Sequence, residues 1–128
     1  MPLIKFHKEL KVYQLAFECA MKIYNLSKGF PVEERYSLTD QIRRSSRSVC
    51  GNIAEAWRKR RYEKLFINKL IDSEGEAAET QNWLDFAFAC NYLGEETYEK
   101  LNSKYDEILA MLVKMTKESN KWTFNSTT

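Results

Sequence analysis

The segment SLTDQIRRSSRSVCGNIAEAWRKRR (residues 37–61) carries the clearest structural signal in the chain. Its apolar residues recur at the spacing of one face of an α-helix. Ser37 suits the N-cap position, and Asp40 places a negative charge near the positive end of the helix dipole. We therefore predict a long amphipathic helix with the buried stripe Leu38, Ile42, Val49, Ile53, Ala56 and Trp57.

Three further segments show the same periodicity on either side of this helix. We predict a first helix over about 9–28, a third over about 62–91 and a fourth over about 95–120. Gly29 and Gly94 are placed to end the first and third helices. The predicted apolar stripes are Leu10, Tyr13, Phe17, Ala20 and Tyr24; Phe66, Leu70, Ala77, Ala78, Leu84 and Phe88; and Leu101, Tyr105, Ile108, Leu112 and Met115.

The boundary between the second and third helices is poorly marked, because residues 57–62 contain neither Gly nor Pro. Either a tight turn lies there or the two helices run together. We predict the turn, because one continuous helix of about fifty residues would be rare in so small a domain.

These elements predict an all-α fold, an antiparallel up-down-up-down four-helix bundle, because short connections favour neighbouring helices of opposite direction. The chain has 128 residues with only four Gly and two Pro, which fits one domain over 1–128 built from long helices. The polar tail, about 121–128, is expected to be loose.

Composition excludes several classes of protein. No run approaches the ~18 apolar residues of a membrane span, and the N-terminus lacks a signal-peptide pattern, so we expect a cytoplasmic protein with no membrane partner. The odd, widely spaced cysteines do not suit a disulfide framework or a zinc site. We expect each to act as a small buried apolar residue: Cys19, Cys50 and Cys90.

Charge is distributed unevenly along the chain. Residues 1–34 carry five Lys/Arg and four Asp/Glu, net +1; residues 35–69 carry ten and three, net +7; residues 70–128 carry five and eleven, net −6. A basic middle and an acidic C-terminal half indicate either nucleic-acid contact or head-to-tail contact between subunits.

The basic residues of the middle segment form a helical stripe. At about 100° per residue, Arg43, Arg44, Arg47, Arg58 and Arg61 share a sector of roughly 100° on the second helix and its extension, together with the small residues Gly51 and Ala54. Arginine forks match phosphate geometry, and small neighbours allow a backbone to approach closely. The alternative is a solvated face whose arginines pair with carboxylates of a neighbouring helix or subunit.

Residues for catalysis or metal binding are lacking. The only histidine, His7, has no Ser, Cys or acid neighbour that would suggest a triad, and no carboxylate precedes it in a Glu-x-x-His pair. The sequence also has no phosphate-binding glycine loop. We expect no catalytic residue, no metal site and no cofactor, although helix three carries Asp72, Glu74, Glu76 and Glu79.

Polar residues lie close to the predicted core of both central helices. The two groups are Ser45, Ser46, Ser48 and Asn52 on helix two and Thr80, Gln81 and Asn82 on helix three. We expect hydrogen bonds between helices, with a ligand pocket as the alternative. Trp57 and Tyr62 flank the basic run; core or subunit packing is favoured for Trp57 over base stacking.

Several motifs of this chain, taken in order, resemble one known family. They are Phe30-Pro31, Glu34-Arg35-Tyr36, Gln41-Ile42-Arg43-Arg44, Asn52-Ile53-Ala54-Glu55, Ala78-Glu79-Thr80-Gln81 and Tyr92-Leu93. The chain is similar, from about residue 6 to 112, to the four-helix-bundle family of the protein encoded in intervening sequences of bacterial 23S ribosomal RNA genes. Where many members have Ile-Pro-Ser, this chain has Val49-Cys50-Gly51.

The resemblance implies an antiparallel four-helix bundle that assembles into a ring-like homopentamer. It also implies kinship with the accessory protein of diversity-generating retroelements, a basic bundle that binds nucleic acid and a reverse transcriptase. The family has no established enzymatic activity. The matched positions that would carry nucleic-acid binding are Arg43, Arg44, Arg47, Arg58, Lys59, Arg60 and Arg61.

Two functions follow from these observations. The first is a non-enzymatic, homo-oligomeric protein that binds structured RNA or DNA through the basic face, without strong sequence selectivity. The alternative is a protein-interaction scaffold whose basic stripe docks an acidic partner or the acidic half of a neighbouring subunit.

Overall fold

The computed structural model describes residues 3–124, and within that range it contains helices and no strands. The long helices are α1 (Lys11–Ser27), α2 (Leu38–Arg58), α3 (Glu63–Ala89) and α4 (Glu95–Lys117), and a short α5 covers Ser119–Trp122. Two 3₁₀ turns, His7–Glu9 and Val32–Glu34, precede α1 and α2. No helix in this range is long and apolar enough to span a membrane. The expected all-α class is therefore confirmed.

The expected turn between the second and third helices is present. α2 ends at Arg58, and Lys59 leaves the helical conformation with φ −93° and ψ 15°. The amide of Tyr62 donates to the carbonyl of Lys59 at 3.1 Å, and the chain is extended at Tyr62 before α3 begins. The predicted turn is therefore confirmed, although it contains neither Gly nor Pro.

Asn91, rather than Gly94, ends the third helix. Asn91 has a φ of 64°, and the amide of Tyr92 donates back to the carbonyl of Ala87 at 2.8 Å. This is the left-handed helix ending that asparagine tolerates better than most residues. Gly94 instead occupies the N-cap of α4 in an extended conformation, so its predicted role was wrong.

Neighbouring helices of the bundle pack in a closed cycle. α2 packs against α3, α3 against α4, α4 against α1 and α1 against α2, and α5 contacts α3 and α4. The predicted stripes of α2 and α4 are buried throughout. This arrangement leaves the opposite side of α2 available to solvent.

The predicted stripes of α1 and α3 needed correction. On α1 the inward stripe is Val12, Ala16, Cys19 and Ile23, whereas Phe17 is 50% exposed. Tyr13 and Tyr24 are half-buried. The rings of Tyr13, Phe17 and Tyr24 form a second stripe on α1, which lies beside the buried stripe at the edge of the core. On α3, Ala78 and Phe88 are exposed and Ala87 is buried.

Hydrogen bonds link polar residues across α2 and α3, as expected for Ser45 and Thr80, whereas Ser46 and Asn52 donate to carbonyls of α2 itself. Thr80 Oγ1 donates to Ser45 Oγ at 2.8 Å, and Ser73 Oγ donates to the carbonyl of Val49 at 2.8 Å. Gln81 Nε2 reaches α4, where it donates to the carbonyl of Asn102 at 3.2 Å. Such bonds satisfy buried groups and fix the register of the helices.

The first residues of the C-terminal segment contact the rest of the fold. Trp122 packs edge-on against Trp57 with ring centroids 6.0 Å apart, and Ser119 Oγ donates to Glu63 Oε2 at 2.6 Å. The amide of Phe124 donates to the carbonyl of Arg60 at 3.2 Å. Trp122 and Phe124 thus contact the end of α2 and the turn that follows it. Residues 125–128 lie outside the described residues, so the looseness expected of 121–128 stays a prediction.

Two of the three cysteines match the expected burial. Cys19 and Cys50 lie in the core, and burial raises their thiol pKa values to about 11 and about 12. Cys90 is exposed, because it follows the last turn of α3, so its predicted burial was wrong.

Candidate nucleic-acid interface

The seven basic residues predicted as a binding surface occupy four different environments. α2 carries Arg43, Arg44, Arg47 and Arg58, whereas 59–61 belong to the turn that follows. The helical part of the stripe therefore ends at Arg58, and the basic residues that follow lie in the turn.

Arg43 and Arg47 share one aromatic ring. The guanidinium carbon of Arg43 lies 4.9 Å from the ring centroid of Tyr24, and that of Arg47 lies 5.6 Å from it. Lys28 Nζ approaches the same ring at 4.8 Å. Arg43 Nε also donates to Ser27 Oγ at 2.7 Å. The face of an aromatic ring attracts cations, so Tyr24 positions both arginines without neutralising them.

Arg44 faces α3 and is paired with carboxylates. Its Nη1 lies 3.5 Å from Glu76 Oε1, and its Nη2 contacts Glu79 Oε2. Partial burial works to lower the pKa of Arg44, but the hydrogen bond to Glu79 and the charges of both carboxylates outweigh it and raise that pKa. For Arg44 the alternative drawn from the sequence, pairing with a neighbouring helix, is correct.

Arg60 is held inside the turn. Its guanidinium carbon lies 3.5 Å from the Trp57 ring centroid and 4.7 Å from that of Phe124, and its Nε donates to the carbonyl of Trp57 at 2.7 Å. Burial lowers its pKa. Arg60 therefore fastens the C-terminal segment to the bundle, and it is poorly placed to bind phosphate.

The remaining arginines form a surface that we call the arginine face: Arg43, Arg47 and Arg58 on α2, with Arg61 in the adjoining turn. Among residues 3–124, none of the four lies within 4.0 Å of a carboxylate oxygen. Arg47, Arg58 and Arg61 are exposed, while Arg43 and Lys59 are half-buried. At 1.5 Å per residue, the helical part extends about 22 Å along α2.

A shallow polar depression lies on this face. It is lined by Asp40, Arg43, Arg44, Arg47, Ser48 and Gly51. Apart from Gly51 itself, its two chain neighbours and the backbone of its own helix, no heavy atom lies within 4 Å of the position that a Cβ on Gly51 would take, so the helix surface is open there. An extended anion such as a phosphate backbone can approach the helix at this point.

The described part of the chain contains no group of three or more His, Cys, Asp or Glu side chains that could hold a metal ion. His7 packs edge-on against Tyr13, with ring centroids 4.8 Å apart. On α3, Asp72 lies 3.9 Å from Lys69, and Glu76 and Glu79 contact Arg44. These carboxylates take part in surface ion pairs.

The sequence of α2 and its helical partners matches a known family. A model of the family described as 23S rRNA-intervening sequence protein matches residues 8–114. The chain belongs to this family. The match confirms the resemblance drawn from the motifs of residues 30–93. A search of the curated proteins gave no match.

A solved protein from the S23 ribosomal protein family has a similar fold. It is a protein of unknown function from Bacteroides thetaiotaomicron VPI-5482, whose crystal structure was determined at 1.70 Å resolution. This chain is similar to it with a TM-score of 0.76 and 34% sequence identity, over 83% of this chain and 95% of that chain. The helical fold of the 23S rRNA-intervening sequence family is therefore shared by both proteins.

Sequence reasoning missed Tyr24, which organises the arginine face. It lies at the end of α1, and its spacing from Phe17 suggested a core residue. Only the packing of α1 against α2 brings its ring beneath Arg43 and Arg47. The sequence alone shows Tyr24 four positions before Lys28, a spacing that allows a contact between an aromatic ring and a cation. That spacing does not indicate that Arg43 and Arg47 contact the same ring.

Proposed function

We propose that this protein is a non-enzymatic, cytoplasmic homo-oligomer that binds RNA or DNA through the arginine face. The observation that carries the proposal is the contrast between Arg44, which is paired with Glu76 and Glu79, and the four arginines of the face, none of which has a carboxylate oxygen within 4.0 Å among residues 3–124. Unpaired arginines in a row repel one another, and a polyanion relieves that repulsion.

The geometry of the arginine face suits contacts with the phosphate backbone better than contacts with base edges in a groove of duplex nucleic acid. Arg47 and Arg58 are eleven residues apart and therefore on the same side of α2, with Gly51 and Ala54 between them. Contacts of this kind position a nucleic acid and depend strongly on salt, but they carry little sequence information. We therefore expect binding with weak sequence selectivity.

The assembly is part of the proposal. We propose an antiparallel up-down-up-down bundle, because each long helix packs against the one that follows it and α4 packs against α1. Family membership supports a ring-like homopentamer. Exposed apolar side chains on α3, including Ile71 and Phe86, supply surface that a subunit contact would bury.

A scaffold remains the second candidate. The net −6 of residues 70–128, from five Lys/Arg and eleven Asp/Glu, offers an acidic surface to the arginine face of a neighbouring copy. In that case the arginines hold the oligomer together, and any reverse-transcriptase partner would bind elsewhere.

Charge reversal separates the two functions. We would compare the double variant Arg47→Glu/Arg58→Glu with the control Lys114→Glu/Lys121→Glu, which changes net charge equally at exposed sites on α4 and α5. Light scattering gives the oligomeric state, and fluorescence anisotropy gives affinity for labelled RNA and DNA. The proposal expects the arginine variant alone to lose binding while keeping its assembly. Loss of assembly in that variant would support the scaffold instead.

A further inference from the structure

A groove between α1 and α2 runs alongside the arginine face. Its volume is about 390 Å³, and it is lined mainly by apolar side chains that include Tyr13, Phe17 and Met21 of α1 and Ala54 of α2. Arg47 and Gly51 also line it, and both belong to the polar depression of the arginine face. The apolar groove and the basic surface are therefore continuous.

Aromatic rings of α1 are presented along this groove. The ring centroids of Tyr13 and Phe17 lie 6.1 Å apart, with their planes inclined by 27°. Phe17 is 50% exposed and Met21 is 45% exposed, although both lie in the middle of a long helix. Large apolar groups that are exposed beside a charged residue, here Arg47, are typical of a binding surface.

Charge complementarity indicates what the groove accepts. A ligand that fills the groove must be flat or apolar where it meets Phe17 and negatively charged where it meets Arg47. If it continues into the adjoining depression, it also meets Arg43. Single-stranded nucleic acid has this pairing, since its bases are free to stack on aromatic rings while its phosphates follow a basic surface. In a duplex the bases are stacked on one another, so their faces are not available.

We propose that this groove binds unpaired nucleobases, in a single strand or in the loop of a structured RNA, while the phosphates contact the arginine face. The proposal rests on the function proposed above and adds the class of nucleic acid. The protein then prefers single strands over duplexes of the same sequence and length, and Phe17 and Met21 supply that preference. Arginines alone would bind both forms.

The test uses one variant that fills the groove and one that removes its ring. Gly51→Leu places a side chain in the groove, where the new Cβ meets no atom within 4 Å other than those of its own helix backbone and chain neighbours. Its matched control is Gly75→Leu on α3, which has the same free space and the same helical setting. Phe17→Ala removes the exposed ring without changing a charge.

Anisotropy is measured with a labelled single strand and a duplex of the same length, and light scattering follows the oligomer. The proposal expects wild type to favour the single strand by about tenfold. Phe17→Ala and Gly51→Leu should each remove most of that preference, because the bases no longer stack in the groove, while Gly75→Leu keeps it. Duplex binding by Phe17→Ala should stay within about twofold of wild type.

Three results overturn the proposal. Equal binding of single strand and duplex by wild type, with no effect of Phe17→Ala, rejects the groove but leaves the arginine face as a nucleic-acid site. Binding of neither form by wild type rejects the proposed function and the groove together. Disassembly of Phe17→Ala or Gly51→Leu, with Gly75→Leu intact, makes the groove a contact between copies of this chain.

Discussion

The guanidinium carbon of Arg43 lies 4.9 Å above the centroid of the Tyr24 ring. This contact joins the end of α1 to the exposed side of α2, and Arg47 uses the same ring at 5.6 Å. A stacked guanidinium keeps its charge and its outward donors, whereas Arg44, which binds Glu76 and Glu79, does not have them free. Arg43 and Arg47, which contact the ring, can therefore bind a polyanion, whereas Arg44 links α2 to α3.

Removing the ring should weaken nucleic-acid binding without unfolding the protein. In Tyr24→Leu, Arg43 and Arg47 lose the aromatic ring that they both contact. Their side chains are then less ordered in the free protein and lose more conformational entropy when nucleic acid binds. We expect affinity to fall by about three- to tenfold in anisotropy measurements. The control is Tyr36→Leu, since Tyr36 is exposed and also stacks with an arginine, Arg35, at 5.8 Å. An equal decrease in affinity in Tyr24→Leu and Tyr36→Leu would show that Tyr24 has no specific role in positioning the arginines.

Arg60 is expected to contribute to stability and not to binding. Arg60→Ala removes the interactions with Trp57 and Phe124 and should lower the free energy of unfolding by about 1–2 kcal/mol, measured by urea denaturation. The neighbouring Arg61→Ala should change it by no more than about 0.5 kcal/mol. Equal stability of the two variants would contradict this assignment.

The thiols should differ sharply in reactivity. Burial raises the pKa of Cys19 to about 11 and that of Cys50 to about 12, so at neutral pH both remain protonated as well as shielded. Cys90 is exposed. A thiol-disulfide reagent should therefore titrate one cysteine in the native protein and all three in denaturant. Rapid reaction of Cys19 or Cys50 under native conditions would show that the core opens easily.

Stability at alkaline pH should depend on Tyr92. The hydrogen bond that Tyr92 donates to Glu34 raises its pKa from 10.0 to about 12. A raised pKa in the folded state stabilises the protein fully below pH 10, and this contribution disappears as pH rises toward 12. Tyr92→Phe lacks it.

Urea denaturation across this pH range provides the measurement for Tyr92. The difference in unfolding free energy between wild type and Tyr92→Phe should stay constant up to pH 10 and then shrink. Glu34→Gln removes the negative charge but keeps an acceptor oxygen. In that background, the difference in unfolding free energy caused by Tyr92→Phe should shrink less at high pH. A difference that does not change with pH would rule out the link between Tyr92 and Glu34.

How well the sequence predicted the fold depended on the helix. Every residue predicted for the apolar stripe of α2 is buried, because polar and basic residues fill the other side of that helix. α1 was harder, since Val12, Ala16 and Cys19 form one stripe and Tyr13 and Phe17 form a second beside it. Periodicity alone does not tell which of two adjacent apolar stripes faces the core.

The candidate site shows the same limit. Arg44 and Arg47 are about 60° apart around α2, and both belonged to the predicted stripe. Their different environments arise because α3 brings Glu79 beside Arg44 while α1 brings Tyr24 beside Arg47. Likewise, Arg60 is a packing residue only because the turn and Phe124 enclose it. Interactions between elements distant in sequence decide each case.

Salt dependence of nucleic-acid binding tests the central claim most directly. Affinity would be measured by anisotropy at several salt concentrations for wild type, for Arg43→Ala/Arg47→Ala/Arg58→Ala/Arg61→Ala, and for a control with the exposed lysines of α4 and α5 changed to alanine: Lys100, Lys114, Lys117 and Lys121. All assemblies are checked by light scattering. In the arginine variant the slope of log affinity against log salt should fall by about one unit for each phosphate that no longer binds an arginine, and the lysine control should keep the wild-type slope. An arginine variant that binds with unchanged affinity and slope would contradict the account.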